Sequence, residues 1–95
     1  MSSIGNHESA EELSVKTRDM HRAIVSLMEE LEAIDSYNQR ADVCRDKELN
    51  AILVHNRDEE KEHASMLLEW IRRNDPRFSN ELECRLFTDK AIASQ

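Results

Sequence analysis

The sequence predicts an all-α protein built on an antiparallel pair of long helices. One glycine and one proline in 95 residues leave few points at which a helix must break. Apolar residues recur three and four positions apart over two long segments, which is the period of an amphipathic helix. Aromatic residues make up only 4% of the chain and charged residues 35%. A single copy would therefore bury a thin core, and we expect the chain to form an oligomer.

The first helix is expected to begin after a short polar segment. Residues 1–8 are polar and show no period, so we expect them to be disordered. Ser9 and Glu12 have the spacing of a capping box, in which each side chain accepts a hydrogen bond from an otherwise unpaired backbone N–H group. The sequence therefore predicts a long helix from residue 9 to about residue 40.

Two further helices are predicted after a short turn. Asp46 is the expected N-cap of a second long helix that continues to about residue 74. Asp75 followed by Pro76 is typical of an N-cap and a first helical position, and predicts a shorter third helix to about residue 88. Residues 89–95 are expected to fray, so the predicted domain covers residues 9–88.

The two long helices are predicted to form a hairpin that pairs with a second copy. At 1.5 Å per residue each would be roughly 40–45 Å long, and a short connection makes them antiparallel neighbours. Two helices alone cannot enclose a core. The expected architecture is a four-helix bundle assembled from two chains.

Composition excludes several classes of protein. The net charge of −7 argues against nucleic-acid binding. No segment is long and apolar enough for a membrane span, and the N-terminus has no signal-peptide pattern, so we expect a cytoplasmic protein. Cys44 and Cys84 are too few for a disulfide framework or a zinc cluster, and we expect both to be inert thiols.

The middle of the second helix carries polar residues where a core is expected. Seven residues spaced four and three apart form its packing seam: Leu49, Leu53, Asn56, Glu60, His63, Leu67 and Trp70. The central three are polar. Because Glu60 and His63 lie three residues apart, they project from one helical face and can bind the same ion.

Glu30 occupies a matching position on the first helix. Its seam neighbours Ala23, Leu27 and Ile34 are apolar, and in an antiparallel hairpin it lies at nearly the same level as Glu60. A buried carboxylate needs a compensating partner. A metal ion is the expected one, and oxygen and imidazole ligands without a nearby cysteine favour iron or manganese over a structural zinc.

The motif supplies half of a known type of site. Ferritin-like di-iron bundles use a Glu from each of two helices and a Glu-x-x-His from each of the other two. This chain contains one of each, so a two-fold axis through the site would complete the set and place four carboxylates around two ferrous ions. The dimer interface would then be the iron site.

Other interpretations stay open at this point. In a charged helical chain an isolated Glu-x-x-His arises readily by chance, and Glu60 and His63 could simply be exposed. The chain could be a non-catalytic hairpin that only mediates assembly. It could also bind zinc or manganese without turnover.

Two long segments make the chain resemble the encapsulated ferritin family. They are residues 29–40 (EELEAIDSYNQR) and 55–63 (HNRDEEKEH), and residues 68–73 and 86–88 are similar to later segments of the same family. The resemblance covers about residues 9–88. It implies a ferroxidase that converts ferrous to ferric iron with dioxygen, in subunits that dimerise into a ferritin-like bundle.

The resemblance also implies site residues and partners. It makes Glu30, Glu60 and His63 the iron ligands, with two iron ions per subunit pair. It places a secondary metal or entry site at Glu29 and Glu32, and Tyr37 close to the iron. It further implies a ring of five dimers, a homodecamer, held inside an encapsulin shell that stores the mineral, and hence a location within an encapsulin nanocompartment.

Overall fold

Residues 5–93 form three α-helices preceded by one short 3-10 turn, and the prediction of an all-α protein is confirmed. The computed structural model describes residues 5–93; parts of the predicted N-terminal disorder and of the frayed tail fall on residues outside that range. The 3-10 turn is Ala10–Glu12, and the helices are α1 (Val15–Val43), α2 (Lys47–Arg73) and α3 (Pro76–Arg85). Residues 5–93 contain no β-strand.

The first long helix begins later than the sequence predicted. Ser9 precedes only the 3-10 turn and makes no side-chain capping bond; its hydroxyl donates instead to Glu11 Oε1 at 2.5 Å. Ser14 is the N-cap of α1, and its hydroxyl oxygen accepts a hydrogen bond from the Thr17 backbone N–H at 3.1 Å. The capping-box assignment at residue 9 was therefore wrong, because a second serine with a competent cap lies five residues downstream.

The caps of the other two helices are confirmed. Asp46 accepts a hydrogen bond from the Leu49 N–H and Asp75 accepts one from the Phe78 N–H, each at 2.9 Å. The third helix ends at Arg85, not near residue 88. It stops there because Leu86 is extended and Phe87 is left-handed, with φ of 56°, a conformation that a helix cannot include.

The hairpin has a small core. Its two helices lie antiparallel, and in the described part of the chain the buried apolar residues are Ala23, Ala64 and Ile71, of which only Ile71 is fully buried. Several large apolar side chains stay exposed on the two long helices: Ile24, Met28, Leu31, Leu49, Ile52 and Met66. An isolated hairpin thus leaves apolar surface that another molecule could cover.

The third helix is attached to the end of α2. Arg72 reaches across with Nη1 3.1 Å from the Ser79 hydroxyl oxygen, while its Nε and Nη2 donate to the Glu69 carboxylate. No helix among the described residues is both long and apolar enough to cross a membrane.

Candidate metal centre

Three side chains that could bind a metal ion converge between α1 and α2. They are Glu30 of α1 and Glu60 and His63 of α2, and one potential ligand atom of each lies within 4.8 Å of the other two. His63 Nδ1 is 2.8 Å from Glu60 Oε1 and 3.5 Å from Glu30 Oε1. The structure thus brings together the three residues named from the sequence, whereas their binding of iron stays a prediction.

Helix geometry explains why these side chains meet. Glu60 and His63 are three residues apart and are therefore neighbours on one face of α2. Glu30 lies thirteen residues before Val43, the last residue of α1, and Glu60 lies thirteen residues after Lys47, the first residue of α2. Equal distances from the turn place the two carboxylates at one level of the hairpin.

The cluster is only partly enclosed in a single chain. The exposed fractions of the Glu30 and Glu60 side chains are 26% and 24%, and that of His63 is 44%. This is less burial than the apolar seam around Glu30 suggested. Since one side of the cluster is open, an ion can enter it and further ligands can be added from outside the hairpin.

The two carboxyl groups of the cluster perturb one another. A hydrogen bond with Glu60 raises the pKa of Glu30, and desolvation and the Glu60 charge act in the same direction. The same hydrogen bond lowers the pKa of Glu60. Without a metal ion the two adjacent carboxyl groups therefore resist ionising together.

The imidazole responds to both carboxylates. The hydrogen bond with Glu60 raises the pKa of His63, and the negative charges of Glu30 and Glu60 raise it further. His63 must lose its proton to bind a metal ion through Nδ1. Metal and proton thus compete for the same three groups.

The remaining predicted site residues lie outside this cluster. Glu29 and Glu32 are exposed on α1 beside Glu30. Tyr37 is half-buried two helical turns from Glu30, about 10 Å along the helix axis. The Arg40 guanidinium lies over its ring, 5.5 Å from the ring centroid. Within one chain neither the acidic pair nor the tyrosine joins the three converging side chains.

Sequence reasoning missed a polar contact on the turn side of the cluster. Arg57, in the charged stretch that leads to His63, is only 23% exposed, and its Nη1 donates to Asn38 Oδ1 of α1 at 3.1 Å. A heptad relation to Asn50 and Ala64, both of which face α1, could have signalled that Arg57 also points toward α1.

The donor set suits a hard or intermediate divalent ion. Two carboxylates and one imidazole are ligands that iron and manganese accept, and none of the three donors is a thiolate. Both cysteines are free thiols, Cys44 at the α1–α2 turn and Cys84 on α3, so neither α1 nor α2 contributes a thiol at the level of Glu30. Three donors leave coordination positions for other ligands.

Comparison with known proteins finds a matching family model and similar sequences. The family model described as EncFtn-like matches residues 5–89. The chain is 57% identical over 93 residues to the "Encapsulated ferritin-like protein" of Rhodospirillum rubrum, a match that covers 98% of this chain and 66% of that protein. The chain therefore spans slightly less than two thirds of that relative's length. The resemblance predicted from the two sequence segments is confirmed.

Two further matches are a solved structure and a shorter sequence match. The crystal structure of protein ne0167 from Nitrosomonas europaea superposes with a TM-score of 0.91 and 69% sequence identity, covering 95% of this chain and 99% of that one. The "Encapsulin nanocompartment cargo protein EncC" of Myxococcus xanthus is 45% identical over 47 residues, which is 50% of this chain and 36% of that protein.

Proposed function

Since this chain belongs to the EncFtn-like family, we propose that it oxidises ferrous iron with dioxygen at a di-iron site completed by a second copy of the chain. The observation that carries the proposal is the cluster of Glu30, Glu60 and His63, whose potential ligand atoms lie within 4.8 Å of one another. This is half of the ligand set of a ferritin-like di-iron bundle.

Pairing with a second copy supplies the missing half. The open side of the cluster and the exposed apolar residues of the long helices favour a partner that covers both. A two-fold axis through the cluster would bring four carboxylates and two imidazoles together, and the four negative charges would balance two ferrous ions. The dimer would then be both the four-helix bundle and the active unit.

Each group has a distinct role in this proposal. Glu30, Glu60 and His63 bind the iron ions, which are the substrate. Glu29 and Glu32, exposed next to Glu30, form a secondary site that attracts incoming ions. Tyr37 comes close to the iron in the assembled bundle. Each ferrous ion gives one electron to dioxygen, and the protein contributes geometry and charge balance.

The names of two relatives support a proposal about the wider assembly. A relative is named as an encapsulated ferritin-like protein and another as an encapsulin nanocompartment cargo protein. We therefore propose that dimers of this chain assemble into a decameric ring and work inside an encapsulin shell, where the ferric product is stored.

Iron oxidation in air tests the proposal. Ferric absorbance is followed after ferrous iron is added to the wild type and to Glu30→Ala, Glu60→Ala and His63→Ala, with Glu48→Ala on the same helix as a control. We expect the wild type and the control to exceed spontaneous oxidation and the three site variants to fall to it. A wild type that does not exceed the spontaneous rate contradicts the proposal.

The oxidation assay, together with a measurement of metal binding, separates the alternatives. A protein that only mediates assembly would bind no iron, which equilibrium dialysis detects. A zinc or manganese site without turnover would bind metal and lose that binding in the three site variants, but the rate of iron oxidation would equal the spontaneous rate in every sample.

A further inference from the structure

We propose that Arg57 is a positioning residue, whose hydrogen bond to Asn38 holds α1 and α2 in the register that brings Glu30 level with Glu60 and His63. The importance of Arg57 for iron binding rests on the proposed function. The register of the two helices can be measured without iron. Arg57 does not touch the cluster; it acts through the relative position of the two helices.

The contact joins the two helices at a defined level. Arg57 Nη1 donates to Asn38 Oδ1 at 3.1 Å, and its Nε donates to Asp58 Oδ1, also at 3.1 Å. The aspartate of its own helix thus orients the guanidinium while one nitrogen crosses to α1. Closer to the turn, Asn50 Nδ2 donates to the Ala41 carbonyl oxygen at 2.6 Å. Two directional bonds therefore connect the helices between the turn and the cluster.

Apolar side chains are less completely enclosed in this half of the hairpin. The buried residues Ala23, Ala64 and Ile71 all lie on the far side of the cluster from the turn. Two of these three side chains are single methyl groups, and the hydrophobic effect that drives their contact is non-directional. Between the cluster and the turn the apolar residues Ile34, Leu53 and Val54 are half-buried, and no apolar residue of the described chain there is fully enclosed. Hydrogen bonds with fixed donors and acceptors therefore add specificity to the register there.

Register matters because the cluster tolerates little displacement. A shift of α1 by one helical turn would move Glu30 by about 5.4 Å along the axis. The potential ligand atoms lie within 4.8 Å of one another, so such a shift would remove Glu30 from the set. Smaller shifts would lengthen the His63 Nδ1–Glu30 Oε1 distance of 3.5 Å.

Its burial distinguishes Arg57 from an ordinary surface cation. Arg22 of α1 pairs with Asp19 on its own helix and is 72% exposed, whereas Arg57 is 23% exposed and reaches the other helix. The acceptor Asn38 is itself exposed, so the burial of this contact comes from the arginine side. Arg22 is therefore the natural control for the loss of a cation.

Matched variants test this role. Arg57→Met keeps the aliphatic stem and removes the hydrogen-bond donors, and Asn38→Leu removes the acceptor while keeping a similar size. Two controls accompany them. Asn38→Asp retains an acceptor, and Arg22→Met removes an arginine that does not cross between the helices. Circular dichroism establishes that each variant is folded. The affinity for cobalt(II) and the visible spectrum of the bound ion are then measured by titration, since cobalt reports its ligand geometry and does not turn over with air.

The expected pattern is specific to the hydrogen bond. Arg57→Met and Asn38→Leu should each weaken cobalt binding roughly three- to tenfold, the effect of one hydrogen bond, and alter the spectrum. The double variant should be no weaker than either single variant, because both act through one contact. Asn38→Asp and Arg22→Met should bind as the wild type does. Wild-type affinity and spectrum in Arg57→Met would overturn the proposal.

A metal-free measurement keeps the register separate from the iron chemistry. Spin labels at the exposed positions Asp35 and Glu59, in a background without the two native cysteines, report the distance between α1 and α2. Arg57→Met and Asn38→Leu should broaden or shift the distance distribution, and Asn38→Asp should not. An unchanged distribution in both would overturn the positioning role whatever the iron assay gives, whereas absence of iron oxidation in the wild type contradicts only the proposed function.

Discussion

His63 Nδ1 lies 3.5 Å from Glu30 Oε1, so an imidazole of α2 meets a carboxylate of α1. The next residue on α1, Glu29, is exposed and lies outside the cluster. Two adjacent glutamates of identical chemistry therefore differ only in direction, and this difference provides a matched comparison.

Exchanging each of these two glutamates for glutamine should have unequal effects. Glu30→Gln removes one negative ligand per chain and should bring iron oxidation down to the spontaneous rate. Glu29→Gln should leave a measurable enzymatic rate and slow it mainly at low iron concentration, because it weakens only the attraction of incoming ions. Stopped-flow absorbance over a range of ferrous concentrations distinguishes these outcomes. Equal losses in the two variants would contradict the assignment of Glu30 as a ligand.

Metal should strengthen the pairing of chains. In the metal-free dimer four carboxylates would face one another, and a bound ion that requires ligands from both copies stabilises only the dimer. At a metal concentration about 100 times its dissociation constant, this linkage amounts to about 2.7 kcal/mol for one site. Sedimentation velocity with and without iron measures the effect.

His63→Ala is the control for that linkage. It removes a donor from each chain while the helices remain, so metal should no longer change its sedimentation. Equal dimer stability with and without iron in the wild type would show that pairing does not depend on the site.

Metal affinity should fall at acidic pH. The raised pKa of His63, caused first by its hydrogen bond with Glu60, means that a proton competes with the metal at a higher pH than for an ordinary imidazole, whose pKa is about 6.5. Cobalt titrations between about pH 5.5 and pH 8.5 should therefore show tighter binding as pH rises through the His63 pKa. Affinity that is constant across this range would contradict ligation by His63.

The metal-free protein should show the opposite trend. Because the pKa of His63 is higher in the folded chain, its charged contacts with Glu30 and Glu60 stabilise the fold fully below the unfolded value, and this contribution is lost as pH rises through the folded value. Thermal unfolding of the metal-free protein measures it, with His63→Gln as the control that should lose the pH dependence in this window.

Local chemistry determined which features could be predicted from the sequence. Asp46 and Asp75 were identified as caps because a capping bond depends only on residues two or three positions away. The convergence of Glu30 and Glu60 was predictable because seam spacing and equal distance from the turn set both face and level. The face of α2 that carries Arg57 could be inferred from its heptad position, but its partner Asn38 could not, because that pairing depends on the exact register of two packed helices.

Two serines, Ser9 and Ser14, are candidate N-caps of α1, and their contributions to stability can be compared directly. Ser14 accepts a hydrogen bond from the Thr17 N–H, whereas Ser9 makes no such bond. Ser14→Ala should therefore reduce the free energy of unfolding by about 1 kcal/mol. Ser9→Ala should have almost no effect. Urea denaturation followed by circular dichroism compares the two, and a larger loss at Ser9 would restore the earlier helix start.

The attachment of α3 should weaken when Glu69 loses its charge. Hydrogen bonds from Arg72 and Arg73 lower the pKa of Glu69 to about 2, and Arg72 also reaches Ser79 of α3. Glu69→Gln keeps the side chain's size but removes the charge that holds Arg72 in place. The melting temperature at neutral pH should decrease, by a small amount because these ion pairs are partly exposed.

The pH dependence of this effect has a definite sign. A carboxyl whose pKa is lowered in the folded chain stabilises it above the unfolded value of 4.5, and this contribution is lost as pH falls toward about 2. The wild type and Glu69→Gln should therefore differ at pH 7 and converge in acid. Glu62→Gln, an exposed glutamate on the same helix, controls for the loss of one surface charge. If Glu62→Gln lowered the melting temperature as much as Glu69→Gln, net charge alone would account for the change and the ion pair would not hold α3.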